Sequence, residues 1–354
     1  MRTLRALIIA LLLFALGLIA NAYRRRPAPR RSQSSPPVAA TDAQRIAEHL
    51  SQAIRIPTIS HQDPSADDHA QFAALRSFLS ATYPRVHAVL AHQQIEGDGL
   101  LYVWRGRDPK LAPILLLAHQ DVVPVEPGSE ARWTHPPFEG VIADGFVWGR
   151  GALDDKGSLI GLFEAIESLL AESWQPERTV YLASGFDEEV GGAQGAVSIA
   201  RELARRKLHF SWVLDEGGAI VQGTVPYIER PIVAVSTAEK GYVSVELVAH
   251  GEGGHSSVPP ARTSIGLLAA AIVRLQDSPF EPRFLPIVRD DLETYAPEMP
   301  FLPRVVLSNL WLTSPIVLRE LAQRRETQPT VRTTTAPTIL SAGVKENGLP
   351  ETAR

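Results

Sequence analysis

The stretch TVYLASGFDEEVGG, residues 179–192, decides how the chain is read. Its first seven residues are largely apolar, the length and composition of one buried strand. It then runs into three consecutive acids, Asp187, Glu188 and Glu189, closed by Gly191 and Gly192. Like charges this close repel, and the end of a buried strand is poorly solvated. A solvated turn explains one such triplet, and so does a cation that makes the repulsion useful. The neighbouring strands have to choose between the two.

Three further segments end in the same way. ILLLAHQD (114–121) closes on His119 and Asp121, FVWGRGALDDKGS (146–158) brings Asp154 and Asp155 to the start of a helix, and WVLDEGG (212–218) carries Asp215 and Glu216. Helical patterns separate the strands, at 158–173 and 193–206, and two more precede them, at 41–50 and 68–82. This alternation predicts an α/β fold with a mostly parallel sheet and flanking helices. In such sheets ligands bind beyond the carboxyl ends of the strands.

Taken singly, each acid or histidine has a plain structural explanation: a core histidine, a helix N-cap, a turn. Taken together they crowd one imidazole and several carboxylates along one rim, which costs several kcal/mol unless cations lie among them. The chain has no cysteine, so any metal must use nitrogen and oxygen donors, a set that suits zinc, manganese or cobalt. An excess of carboxylates over imidazoles suits two ions bridged by one carboxylate. One glutamate of the 188–189 pair can hold a metal while its neighbour accepts a proton from water. Asp121, two residues beyond His119, is placed to accept from the other ring nitrogen.

The ends of the chain read differently. Arg2 and Arg5 precede an apolar run from Ala6 to Ala20, a pattern of a signal peptide or membrane anchor over residues 1–22. Residues 23–40 read as a Pro/Ser/Arg-rich linker. The first 41 residues hold seven arginines and no acid, so the body that follows is acidic. That excludes nucleic acid as the expected partner; the arm reads first as a plain retention signal, with contact to anionic lipid as the alternative. The expected location is membrane-anchored, or secreted or periplasmic. Residues 41–238 are expected to form a catalytic domain and 239–354 a smaller α+β one. In the latter, KGYVSVELVAHG (240–251) reads as a half-exposed strand, TSIGLLAAAIVRLQ (263–276) as a helix, and 278–335 as Pro-rich and irregular around one helical piece, VLRELAQRR.

In order, LLLAHQDVVPV, WTHPPFEGVIADGFVWGRGALDDKGS, GFDEEVGG, LDEGG and AHGEGGHSSVPP resemble the zinc-dependent aminoacylase and carboxypeptidase family. The WTHPPFEG and LSNLWL stretches and the N-terminal apolar segment are similar to its carboxypeptidase S-like branch, which includes enzymes that make and cleave N-fatty-acyl amino acids. The resemblance implies two divalent ions, zinc or else cobalt or manganese. It implies His119, Asp154, Glu189 and Asp215 as metal ligands, with Asp154 bridging, Glu188 as general base and then acid, and Asp121 as the residue that orients His119. It also implies a cis Asp154–Asp155 peptide, a small lid or dimerisation domain that can pair into a homodimer, and His255 as the donor to the oxyanion. The family pattern asks for one more metal-ligand histidine, far downstream on the C-terminal part of the catalytic domain, and none follows His255, so the expectation is a fragment whose catalytic domain lacks its C-terminal segment and whose second domain is partial. Two functions follow: a metal-dependent hydrolase acting on a small peptide or N-acyl amino acid, or a catalytically inactive, membrane-associated metal-binding or interaction protein.

Overall fold

The computed structural model describes residues 2–25, 42–218 and 220–354. It forms two compact units, residues 34–217 and residues 218–354 together with 1–33. Most of the expected 23–40 linker lies outside the described residues.

The N-terminal helix α1 (Arg2–Arg24) belongs to the second of these units. The 34–217 unit opens with α2 (Ala43–Ile54) and α3 (His69–Thr82). Each has an aspartate N-cap that accepts a backbone N–H from the first turn, Asp42 from Arg45 and Asp68 from Ala70. A short α4 (Pro84–Val89), with proline in its first turn, leads into a hairpin of β1 (Ala91–Ile95) and β2 (Gly99–Trp104). Then come β3 (Ile114–Leu117), the small hairpin β4 (Val141–Ala143) and β5 (Phe146–Trp148), α5 (Lys156–Ala171), β6 (Val180–Ser184), α6 (Ala196–Arg205) and β7 (Trp212–Leu214).

The main sheet has the order β1-β2-β6-β3-β7. The α/β class is as expected, with one difference: β1–β2 and β2–β6 pair antiparallel, while β3–β6 and β3–β7 pair parallel. The antiparallel half arises because β1 and β2 are joined by a tight turn at Glu96–Asp98 and have no crossover helix between them. The parallel half matters for function. Since β3, β6 and β7 run the same way, their carboxyl ends lie on one edge, and the segments that follow them carry the singled-out acids and His119.

Two apolar layers hold the sheet. One joins Leu75, Leu79, Tyr83 and Phe163 to Tyr102 and Leu182; the other joins Ile199 and Leu203 to Leu101 and Ala183. Alternate residues of β2 and β6 thus serve opposite faces, as the pleat requires. Phe163 is fully buried, and its ring meets Tyr83 and Tyr102 at 5.2 Å between centroids. Phe163→Ala is expected to cost about 3–5 kcal/mol, the usual loss for a buried aromatic, readable as a lower denaturant midpoint at unchanged slope.

In the other unit, the strand expected over 240–251 is realised only at β10 (Ala249–His250), after short β8 (Ile220–Val221) and β9 (Ile232–Val233). Tyr242, Val243 and Val245 are 90 %, 78 % and 74 % exposed, so alternation alone found no partner strand to pair with. Then follow β11 (Gly254–His255), α7 (Ser264–Asp277), α8 (Pro286–Tyr295), α9 (Phe301–Ser308) and α10 (Leu310–Gln323). The stretch 278–335 is therefore largely helical rather than irregular. Its prolines mislead because several sit at helix starts, as Pro286 does in α8, where the missing N–H costs nothing. Near the C-terminus, β12 (Gly348–Leu349) pairs with β11 and β13 (Thr352–Ala353) with β10.

Candidate active site and metal centre

His119 follows β3 by two residues, and the ladder continues past the strand through Gln120 N–H to Gly185 O at 2.9 Å. This holds the His119 ring at the sheet edge, 4 % exposed. Its Nε2 lies 3.0 Å from Asp154 Oδ1 and 3.1 Å from Glu216 Oε2. The three donor atoms lie within 4.8 Å of one another. Ligands about 2.0–2.1 Å from a tetrahedral ion are about 3.3 Å apart, so one nitrogen and two oxygens at this spacing fit a divalent cation.

Asp154 reaches this position from the turn before α5, where its peptide bond to Asp155 is cis. Asp155 is buried, and its Oδ2 accepts the backbone N–H of His119 at 3.2 Å. Burial pushes the Asp155 carboxyl up, against the pull of Ser158 and His119.

Asp121 is the hub behind the rim. It is fully buried, and its Oδ1 lies 3.2 Å from His119 Nδ1. Oδ1 also accepts the Glu188 N–H at 3.1 Å, and Oδ2 accepts the Glu189 N–H at 3.1 Å and the Ser60 hydroxyl at 2.7 Å. The Asp121 backbone carbonyl lies nearer still to His119 Nδ1, at 3.0 Å, so Asp121 meets the ring through two oxygens while its carboxylate pins the Glu188–Glu189 turn. Burial works against its ionisation, but the hydrogen bonds from His119 and Ser60 prevail and hold it below the usual carboxylate range. Asp121→Asn keeps the shape but turns an amide N–H₂ toward donors. Metal affinity is expected to fall about 10–100-fold, as measured by calorimetric titration.

The rim carboxylates are pushed the other way. Burial, then the charges of Asp121, Asp154 and Asp215, raise Glu188 despite His119 nearby. Burial and Asp154 raise Glu189. Glu216 is pushed up to about 7 by burial, with Asp155, Asp154 and Glu188 adding to it and His119 opposing. On His119 itself burial disfavours the charged ring, but the Asp121 hydrogen bond and the charges of Asp121, Glu216 and Asp155 carry it up to about 10. The imidazolium is the cation that offsets the acids facing it when no metal does.

Of the residues singled out from sequence, His119, Asp121 and Asp154 meet in one constellation, and Glu188 Oε2 stands 3.8 Å from His119 Nε2. Glu189 and Asp215 are not members of the three-donor group, which takes Glu216 instead. Asp215 Oδ1 accepts the N–H of Glu216 at 3.0 Å. His255 lies in the other unit, on β11, where Nδ1 accepts the Ser257 backbone N–H at 3.2 Å and lies 2.8 Å from its hydroxyl. That leaves the neutral ring's proton on Nε2.

Three participants went unassigned in the sequence. Glu216 had a signal, since it adjoins Asp215 at a strand end. Ser60 had none. Nor did Lys156, which is fully buried and donates from Nζ to Ala53 O at 3.0 Å and to Ile56 O. Burial pushes its ammonium down to about 7, against the pull of Asp121. It ties the end of α2 to the turn that presents Asp154. Beside that turn lies a cavity of about 720 Å³ lined by Trp133, His135, Trp148, Arg150 and Leu153 among others. The Arg150 guanidinium lies 5.2 Å from the Trp133 ring centroid, and its Nε is buried with no hydrogen-bond partner among the described residues.

Residues 115–331 match the peptidase family M20/M25/M40. The chain is 39 % identical over 322 residues to the N-fatty-acyl-amino acid synthase/hydrolase PM20D1 of Xenopus tropicalis, covering 89 % of this chain and 62 % of that protein. It is 38 % identical over 333 residues to carboxypeptidase S of Saccharomyces cerevisiae, covering 87 % and 56 %. The fold is similar to a solved M20 family metallo-carboxypeptidase from Sulfolobus solfataricus, with a TM-score of 0.54 at 19 % identity over 88 % of this chain and 70 % of that one. The chain belongs to peptidase family M20/M25/M40. It spans about three fifths of the length of the curated relatives it matches.

Proposed function

We propose that this protein is a metal-dependent hydrolase that cuts an amide bond next to a free carboxylate, in peptides or N-acyl amino acids. The observation that carries the reading is the approach of Asp154 and Glu216 to one nitrogen of His119 with Glu188 beside them, uncommitted to either. His119, Asp154 and Glu216 would hold one divalent ion, zinc foremost. Glu189 and Asp215, on the same rim, are with Asp154 the donors proposed to hold a second ion.

Bound there, an ion supplies positive charge that polarises the scissile carbonyl and acidifies water. The chain's own residues do the rest. Glu188 takes the proton from the attacking water and returns it to the leaving nitrogen, a task helped by its raised pKa. Asp121 keeps the His119 ring in the tautomer and direction its role needs. Arg150, whose side chain lines the aromatic-walled cavity, is suited to a substrate carboxylate, and Trp133 and Trp148 to an apolar acyl or side chain. His255 is proposed as the donor to the carbonyl oxygen, supported by its Nε2–H. The apolar helix α1 is proposed as a signal sequence or membrane anchor.

The test is release of free amino acid from dipeptides and from N-acyl amino acids of graded acyl length. Turnover should vanish with chelator and return with zinc. Turnover indifferent to chelator overturns the reading, and zinc binding without turnover favours a non-catalytic metal-binding protein.

A further inference from the structure

We infer that the bent helix pair α9–α10 is a second lipid-embedded element, re-entering an anionic phospholipid bilayer beside α1. The inference rests on reading α1 as a membrane helix and is independent of the chemistry proposed above.

The side-chain contacts along α1 set the depth of its neighbour. Tyr23, beside Arg24 and Arg25 at the end of α1, meets Phe301 at the start of α9, 6.1 Å between ring centroids. Farther along, Asn309 Nδ2 at the α9–α10 break donates to Leu18 O at 3.1 Å. Farther still, Phe14 meets Trp311 of α10 edge-on at 6.1 Å. Phe14 and Tyr23 are nine residues apart, about 13 Å along a helix axis, against a hydrocarbon half-thickness of about 15 Å. If Tyr23 and its arginines mark the interface, Trp311 lies well inside the hydrocarbon. In this arrangement α1 cannot enter a bilayer without carrying the α9–α10 bend in with it.

The bend is built for that place. The two helices turn through 111°, and together they are long and apolar enough for a broken span or re-entrant loop. No charged residue occurs from Val305 to Leu318. The outer side chains are apolar and bare: Leu302 is 71 % exposed, Trp311 64 % and Ile316 67 %. Non-helical backbone at membrane depth is tolerated only where protein groups satisfy it, and here they do. Asn21 Nδ2 donates to Ser308 O at 2.7 Å and to Asn309 Oδ1 at 3.1 Å, and Thr313 Oγ1 donates to Val306 O at 2.7 Å. Asn309 is 1 % exposed, so its polar atoms are turned away from the apolar surface. The charge at this end is complementary to anionic lipid: Arg24 closes α1, and Arg26, Arg30 and Arg31 continue the basic run in the sequence, while Arg25 is paired with Glu293 at 2.7 Å.

The cysteine-free chain makes the test direct. Single substitutions Leu12→Cys in α1, Leu312→Cys in α10 and Val344→Cys as control are labelled with an environment-sensitive fluorophore in the full chain. Vesicles of phosphatidylcholine with one quarter phosphatidylglycerol are then added. The labels at 12 and 312 should brighten several-fold and be quenched by spin-labelled acyl chains, while that at 344 stays unchanged. Ile316→Asp should weaken vesicle partition at least tenfold with substrate turnover in detergent unchanged. A label at 12 in lipid with one at 312 in water overturns the proposal while leaving the reading of α1 intact. Both in water overturns both. Concentration-dependent shielding at 312 without lipid means that a second copy covers this face, and overturns the proposal in favour of a dimer.

Discussion

Glu188→Gln is expected to lower turnover by about 10²–10⁴-fold, the range for losing a general acid–base group, with metal content unchanged. Glutamine fills the same space and keeps the backbone N–H that Asp121 anchors, so the turn and its neighbours stay in place. What it loses is an oxygen that can take a proton and give it back. Glu189→Gln is the informative contrast: as a proposed ligand, it should release metal. Measured kcat/KM and metal stoichiometry for the two variants separate the roles. Should Glu188→Gln shed metal and Glu189→Gln lose only rate, the two assignments are exchanged.

Zinc affinity should climb about a hundredfold per pH unit between pH 5 and 7, and about tenfold per unit from pH 7 to 9. Below about 7 the metal must displace two protons, one from His119, raised to about 10, and one from Glu216, raised to about 7. Above 7 only the His119 proton remains. The sign for the metal-free fold follows from the same shifts. A histidine with a raised pKa contributes stability fully present below its unfolded value of 6.5 and lost as pH rises through about 10. A carboxyl raised to about 7 binds its proton more tightly folded than unfolded, so stability also falls from pH 4.5 to 7. Lys156, lowered to about 7, acts oppositely between pH 7 and 10.5, so the cleanest window is below 7. The melting temperature of metal-free protein should fall from pH 5 to 7 while that of zinc-loaded protein rises, because the unfolded chain still takes up the histidine proton that the loaded fold has released. A pH-independent gap between the two curves would place the metal elsewhere.

Much of this site is legible as a pattern of strand ends. ILLL, VYLAS and WVL are apolar enough to be buried strands, and the segments after them put His119, Glu188–Glu189 and Asp215–Glu216 on one rim once the strands are parallel. Asp121 was legible as a neighbour of His119, because an acid two residues past a histidine can reach its ring; here its Oδ1 lies 3.2 Å and its backbone carbonyl 3.0 Å from Nδ1. The choice between Asp215 and Glu216 was not legible. Strand alternation would turn residue 215 to the side of His119, but β7 ends at Leu214 and Gly217 adopts φ +90°. Beyond the ladder no period dictates where a side chain points. The helices of 278–335 were hidden for a related reason, since several of the prolines fit a helix's first turn and Pro315 sits inside α10 without ending it.

What the amino-acid order determined by itself is the chemistry: which donors exist, that sulfur is not among them, and that acids crowd the end of every parallel strand. It also determined the α/β class, because apolar runs of strand length alternating with amphipathic helices have few other ways to bury their surface. Tertiary structure alone decided which acids meet. Asp154 comes to His119 from 35 residues away and Glu216 from 97, and at such separations sequence spacing carries no distance. The same holds for Ser60 and Lys156, and for the bend at Asn309 that finds Leu18 across the chain. Long-range contacts depend on how whole elements pack, a sum over many weak terms that no local stretch contains.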